Sequence, residues 1–424
     1  MVMFPLPDKV AAWGDEAAFG RCRPEDGQWV FWEDRVAHVL AGDYFKVRPL
    51  HVELSPTYLC NFACPWCSCR SARQDWSDID IFNRPDASPG TVMSDATLMR
   101  TVDHLVEAGI DIQWVGGEPS MHPSFYKAVT RAAEGGLNQC LFTNGSLLNA
   151  KRLPVLLQAR VAFVRFSLDT ASEDVHRRHH DYDARRNYGQ RVKANIEALA
   201  ELRAASESTT EIGLSFVIDQ VNFDDLEPSA DYLCALQYRH NGRGVDYVII
   251  RPAYPFAGSQ VCLTDDMVVA LQKQVRPGGP WYERVSEAGI RIVAPSASFN
   301  VGGDRPKTDI SECLSCGWFS EIAPTGEMQL CSDRYGRPDS IIGNVARTTV
   351  DTIWRSDVRR ARLDQINTER CAVDTCPRNG RGYHLNSIFS QIERARSEGR
   401  MSEVIAWIEG LRRTLPRPQH SFFL

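Results

Sequence analysis

Residues 51–67 read HVELSPTYLCNFACPWC, and the reading of this stretch decides the fold. Its first five residues, HVELS, alternate in polarity as a short strand does. The loop beyond carries Cys60, Cys64 and Cys67 in the spacing Cys-x3-Cys-x2-Cys. Three thiolates are the soft ligands that a cubane iron-sulfur cluster takes, and three rather than four leave one iron open to a substrate or cofactor. An open iron points to chemistry rather than electron storage. Zinc, completed by Cys69 or a distant histidine, is the structural alternative for the same thiols.

The same arrangement of short apolar run and polar loop recurs along the chain. Strands are expected at 111–115, 139–143, 162–168, 211–218 and 245–250, each rich in β-branched or aromatic residues. Between them lie helices. One is capped by Ser94, shows Leu98, Val102, Leu105 and Val106 on one face, and stops at Gly109. Another covers about 187–203, with Val192, Ile196, Leu199 and Leu202 on one face. Six parallel strands with intervening helices make either an open doubly wound sheet or a curved, incomplete barrel, and periodicity does not choose between them. Both place ligands at the strand C-terminal ends. Those positions are 60–67, 116–119, 143–145, Asp169, Asp219 and 251–254. Arg165, Ser167 and Asp169 alternate, so all three are expected on one side of their strand, the inside of a barrel.

Composition removes whole classes of function. The 424 residues are 43% hydrophobic and 24% charged, the balance of a folded globular chain of two to three domains. A net charge of -6 gives no basic field for nucleic acid. Pro5, Pro7, Asp8 and Lys9 stand where the apolar core of a signal would lie, and no later run reaches 18 apolar residues, so a cytoplasmic protein without membrane contact is expected. Thirteen cysteines in a reducing compartment are read as metal ligands or nucleophiles before disulfides. Cys22, Cys140, Cys234 and Cys262 stand singly and are read as small buried hydrophobes.

The first cysteine triplet, with the aromatic Trp66 just before its third member, resembles the signature of the radical S-adenosylmethionine (radical SAM) superfamily. Gly116, Gly117, Glu118 and Pro119 match that family's GGEP segment, which in relatives meets the amino group of the methionine moiety. Thr143, Asn144 and Gly145, and Ser167 with Asp169, match positions that relatives use around the ribose and carboxylate. The resemblance implies a partial (β/α)6 TIM-like barrel. It also implies a [4Fe-4S] cluster whose open iron chelates S-adenosylmethionine, and one-electron cleavage to a 5'-deoxyadenosyl radical.

Five more cysteines lie between Cys313 and Cys376. The segment 322–331, IAPTGEMQLC, reads as a tight hairpin with Pro324 and Gly326 in its turn. Cys313 or Cys316, then Gly326, Cys331, Ile342-Gly343-Asn344 and Ile353-Trp354, resemble the SPASM and twitch extensions of radical SAM enzymes. Only Cys371-x4-Cys376 follows, which resembles the shorter twitch type with one auxiliary [4Fe-4S] cluster. Cys313, Cys331, Cys371 and Cys376 are the implied ligands. Cys316 is then the spare thiol, placed to donate a hydrogen atom to a substrate radical; exchange of the roles of Cys313 and Cys316, a merely buried spare thiol, and structural zinc all remain open.

The domain reading is an N-terminal extension (1–50), the barrel (51–255), a bridging segment (256–310), the auxiliary cluster domain (311–380) and a C-terminal helix (381–424), the last read as one surface helix over 387–414. The histidines of VHRRHHDYD (175–183) are read as a solvated surface. Arg251 and Tyr254 are placed at the barrel mouth. The expected function is hydrogen-atom abstraction from a polar small molecule, of sugar or aminocyclitol type, giving dehydrogenation or epimerisation in natural-product biosynthesis. An external one-electron donor such as flavodoxin or ferredoxin is the expected partner. The shortness of the 50-residue leader tilts the reading away from a maturase of a ribosomally made peptide, which is the alternative. A non-catalytic iron-sulfur carrier or zinc scaffold is the third.

Overall fold

The computed structural model describes residues 27–67, 92–206, 208–253, 261–299, 312–334, 337–366 and 381–422. The six expected strands are present as β1 (His51–Leu54), β2 (Asp111–Trp114), β3 (Gln139–Thr143), β4 (Phe163–Ser167), β5 (Glu211–Ile218) and β6 (Tyr247–Pro252). They pair in parallel in sequence order. A doubly wound sheet reverses its strand order at a switch point. This order never reverses, so the sheet curls one way into a partial barrel.

Local chemistry sets the elements. Helix Asp95–Ala108 starts where the Ser94 side chain accepts from the Thr97 N–H, and it ends at Gly109, whose φ of 62° closes the last turn. Leu98, Val102 and Leu105 pack into the layer between helices and sheet, where Val52, Ile112 and Val164 point outward from their strands. Alternation then sends Glu53, Gln113 and Arg165 into the lumen. At the end where the strands begin, Phe422 packs on His51 and Phe163, and Ser421 Oγ donates to Asp111. This plug closes the barrel on the side away from the cysteine loop.

Two segments differ from expectation. Beyond helix Asp265–Val275, the stretch read as a bridge forms helix Pro280–Glu287 and a seventh strand, β7 (Arg291–Val293), which pairs in parallel with β6. Three residues are too short a run to stand out in the sequence. The C-terminal helix is two, Arg381–Ser397 and Met401–Thr414, broken near Gly399 at φ 71°. Their faces are buried because Trp29 of the N-terminal segment packs edge-on to Phe389 and Trp318 and beside Trp407. Trp29 thus joins a second core with the C-terminal helices.

The expected hairpin forms from β8 (Phe319–Ile322) and β9 (Glu327–Gln329), with Gly326 at φ 80° in its turn, and β10 (Ile341–Asn344) follows antiparallel. What the local pattern did not carry is where β8 goes. It pairs in parallel with β1, His51 opposite Phe319 and Glu53 opposite Glu321, so the barrel sheet and the hairpin are one sheet.

Candidate active site

The GGEP segment is pressed against the stretch that leads into the cysteine loop. Gly117 N donates to Thr57 O (2.9 Å) and Glu118 N to Leu59 O (2.8 Å). A Cβ on Gly117 would lie 2.2 Å from Leu59 O, and one on Gly116, at φ 113°, 2.6 Å from Thr57 O. Only glycine permits this approach. Glu118 is fully buried, and its carboxylate accepts from Ser120 N and Oγ, Thr143 Oγ1 and Asn144 N. Burial still holds its carboxyl above the usual range. Its side chain therefore clamps β2 to β3. Pro119 begins the turn Pro119–Met121 that carries Ser120. The residue presented to the cysteine loop is Asn144, whose Nδ2 is 3.0 Å from Asn61 Oδ1 and 3.6 Å from Cys60 Sγ. Gly145, at φ 72°, lets the chain turn away behind it.

Cys60, Cys64 and Cys67 come together on this loop. Burial, then the charge of Glu118 and of Cys67, pushes the Cys60 thiol up to about 12, and burial with the charges of Cys67 and Cys60 holds Cys64 well above its ordinary value. Phe62 N donates to Cys60 Sγ (3.4 Å), and His180 Nδ1 lies 3.1 Å from Cys64 Sγ. The loop is anchored from below by Ala63 N donating to His180 O (3.0 Å). Trp66 packs its ring 5.1 Å from that of His179.

The histidines are thus not a solvated surface. His176, His179 and His180 stand at i, i+3 and i+4 on helix Glu173–His180 and are all buried, while Arg177 and Arg178 pair outward with Asp174. Burial lowers His176 to about 3 and His180 well below its ordinary value, so both are neutral imidazoles. Their helical spacing was the available signal. Asp169 also departs from expectation. At φ 60° it leaves the strand alternation that puts Arg165 and Ser167 in the lumen. Its Oδ1 accepts from Val217 N (2.6 Å), and its Oδ2 faces His180 Nε2 (3.4 Å) and His179 Nε2 (3.8 Å). Burial raises its carboxyl to about 6.

Two lumen residues were missed by the sequence reading. Glu53 and Glu321 are register partners on β1 and β8, and Glu321 is buried near Ser55 Oγ (3.5 Å). Burial, then the charge of Glu53, holds the Glu321 carboxyl well above its usual range. Nothing in the sequence alone brings residues 268 positions apart onto adjacent strands. Arg165 stacks on Phe142 (3.4 Å), and Arg251 sits on β6 beyond it. Tyr254 lies outside the described residues.

The second cysteine group gathers Cys313, Cys316 and Cys331 beside a cavity of about 440 Å³ whose walls include Tyr44, Phe45, Gly317 and Arg359. A hydrogen bond from Cys316 lowers the Cys313 thiol to about 7, and the same bond with burial drives Cys316 upward. Cys313 is thus the more acidic thiol of the pair. Fully buried Arg359 stacks on Trp354 (3.9 Å) and donates to Phe45 O and Trp354 O. Cys371 and Cys376 lie outside the described residues. Cys316 precedes β8, whereas Cys60 follows β1, so on these parallel strands the two thiols stand on loops at opposite ends of the pair. That placement counts against a direct hydrogen donor at the barrel mouth.

A radical SAM superfamily model matches residues 54–233, and a SPASM model, an iron-sulfur cluster-binding domain, matches 313–377. The chain belongs to the radical SAM superfamily. It carries a C-terminal SPASM iron-sulfur domain. Mycofactocin maturase MftC of Mycobacterium ulcerans is 28% identical over 318 residues, 73% of this chain and 75% of the relative. The tungsten-containing aldehyde ferredoxin oxidoreductase cofactor-modifying protein of Pyrococcus furiosus is 24% identical over 327 residues, 73% of this chain and 82% of the relative. Streptococcus suis SuiB, in its crystal structure with S-adenosylmethionine, shares the fold: TM-score 0.55 at 15% identity, over 81% of this chain and 74% of that one.

The residues of this radical SAM enzyme fit a [4Fe-4S] cluster. Three thiols on one loop that raise one another's charge cost as thiolates suit a shared cation, and amide, peptide and imidazole nitrogens from Asn144, Phe62 and His180 already lie against the sulfurs of Cys60 and Cys64. Among the described residues no helix is long and apolar enough to cross a membrane.

Proposed function

We propose that this enzyme modifies a ribosomally made peptide by abstracting a hydrogen atom from one of its residues. The observation that carries the reading is the recurrence of one maturase among the relatives: mycofactocin maturase MftC matches from Mycobacterium ulcerans and from Mycobacterium tuberculosis, in the first case over 318 residues and so beyond the radical SAM segment 54–233. When bound, the cluster and S-adenosylmethionine supply a 5'-deoxyadenosyl radical. The chain's own residues prepare its place. Cys60, Cys64 and Cys67 hold the cluster, and Gly116 and Gly117 let the methionine-side backbone reach the loop. Glu118 fixes Asn144 as a positioning residue. Asn144 and Ser167 offer polar atoms to the cofactor, and Trp66 shields the loop. Glu53 and Glu321, register partners on β1 and β8, are the acidic groups that a substrate entering the lumen would meet.

In the SPASM domain Cys313 and Cys331, with Cys371 and Cys376, are assigned to one auxiliary cluster. Cys316 Sγ donates to the Cys313 carbonyl oxygen, and Arg359 balances the negative charge of a thiolate-bound cluster.

The test is 5'-deoxyadenosine formation by anaerobically reconstituted enzyme with an electron donor, with and without the peptides of short reading frames beside the gene. Stimulation together with a mass change in the peptide supports the reading. Stimulation by amino sugars or aminocyclitols alone overturns it. Modification of a polar small molecule is the second reading, favoured by the Pyrococcus furiosus relative, a cofactor-modifying protein that matches an equal share of this chain.

A further inference from the structure

Beneath the cysteine loop, three buried polar atoms converge with no hydrogen-bond partner: Asp169 Oδ2, His179 Nε2 and His180 Nε2. They come from two separate elements, the end of β4 and helix Glu173–His180, and all lie within 4.8 Å of one another. Asp169 Oδ2 is 3.4 Å from His180 Nε2 and 3.8 Å from His179 Nε2. The three side chains are at most 1% exposed. Buried polar groups are as a rule satisfied, so three orphans aimed at one point call for a missing partner that accepts lone pairs from all of them. A metal cation takes lone pairs from all three at once, whereas a water, with two protons to give, reaches two.

The outer contacts suit that partner. A histidine that binds metal through one ring nitrogen turns the other, as N–H, toward a carboxylate or another acceptor. His179 Nδ1 lies 3.1 Å from Asp219 Oδ2, itself buried and unpartnered, and His180 Nδ1 lies 3.1 Å from Cys64 Sγ. Both distances are compatible with the tautomers that a metal at the two Nε2 atoms requires.

We propose that Asp169, His179 and His180 bind one zinc ion, a site separate from both cysteine groups. Two imidazoles and a carboxylate are borderline ligands that zinc takes in tetrahedral geometry, with a water in the fourth place. Zinc has no redox chemistry to divert electrons from a neighbouring iron-sulfur cluster. Its role is to position: it pins helix Glu173–His180 to β4 and fixes the Nδ1 proton of His180 toward Cys64.

The test uses the full chain, purified anaerobically from zinc-supplemented medium, with metal content by mass spectrometry and ligation by zinc-edge X-ray absorption. The expected result is one zinc per chain with nitrogen and oxygen ligands at about 2.0–2.1 Å. Sulfur-only ligation would place any zinc on the cysteines and overturn the proposal. His179→Gln and Asp169→Asn are expected to lose that equivalent, while a variant with Cys60, Cys64 and Cys67 changed to Ala keeps it; retention in His179→Gln overturns the proposal. Should His179→Gln fail to fold by circular dichroism, Asp219→Asn decides: about 10–100-fold weaker zinc affinity supports the site, and unchanged affinity refutes it.

Discussion

Gly117→Ala isolates the contact on which the whole site is built. The added methyl would sit 2.2 Å from Leu59 O and 2.6 Å from both C and O of Tyr58, all backbone atoms that no rotamer change can move. To reach an ordinary contact the loop must retreat by about 1 Å, the scale of overpacking that costs ~1–3 kcal/mol. Retreat also stretches the bonds Gly117 N–H to Thr57 O and Glu118 N–H to Leu59 O, each worth about 0.5–1.5 kcal/mol. The expected destabilisation is therefore about 2–6 kcal/mol. It should fall on the cysteine loop before the rest of the barrel, because residues 57–59 run directly into Cys60. Urea unfolding by circular dichroism gives the stability, and iron content after anaerobic reconstitution gives the cluster. We expect a folded protein that loses about four irons from the first site. Gly410→Ala is the control, since a Cβ there meets nothing within 4 Å in the middle of a helix, and it should gain about 0.5–1 kcal/mol. A Gly117→Ala protein with full iron and unchanged stability would refute the argument that backbone approach, rather than glycine flexibility, is what the position needs.

Other outcomes follow from the same physics. In metal-free protein, iodoacetamide should alkylate Cys313 with a pH midpoint near about 7, while Cys316 stays protonated and unreactive; equal labelling of both would show that the Cys316 hydrogen bond is absent. The Glu321 carboxyl is raised in the folded state, so its contribution favours folding at acid pH and is lost as pH rises past the ordinary carboxylate range. Glu321→Gln should accordingly be more stable than wild type at pH 7, with the gap closing toward pH 4, while turnover falls; urea midpoints across that range check it. Trp29→Ala empties the centre of the second core, where the indole meets Trp318, Phe389 and Trp407, and should cost about 3–5 kcal/mol in thermal or urea unfolding.

Much of the molecule was legible one element at a time. Six strands, the helix from Ser94 to Gly109 and the hairpin around Gly326 were readable because alternation, 3.6-residue periodicity and cap or turn residues are local properties. The cysteine triplet announced its chemistry because its ligands lie within eight residues of each other. Other features needed the folded chain. Glu118 reads in sequence as a cofactor contact, yet in space it is a clamp, because Thr143 and Asn144 reach it from the next strand. The histidines of 176–180 carry as much charge around them as any surface helix, and tertiary packing buries them, with Phe62, Trp66 and Tyr182 against their rings. Glu53 and Glu321 share the lumen, and Trp29 shares a core with Trp407, through pairings hundreds of residues apart that leave no periodic trace. The sequence by itself thus determined the elements and the first metal-binding loop, since those depend on neighbours along the chain. Which buried side chains face one another was decided only by the tertiary structure, since that depends on how the sheet curls and which strand closes against β1.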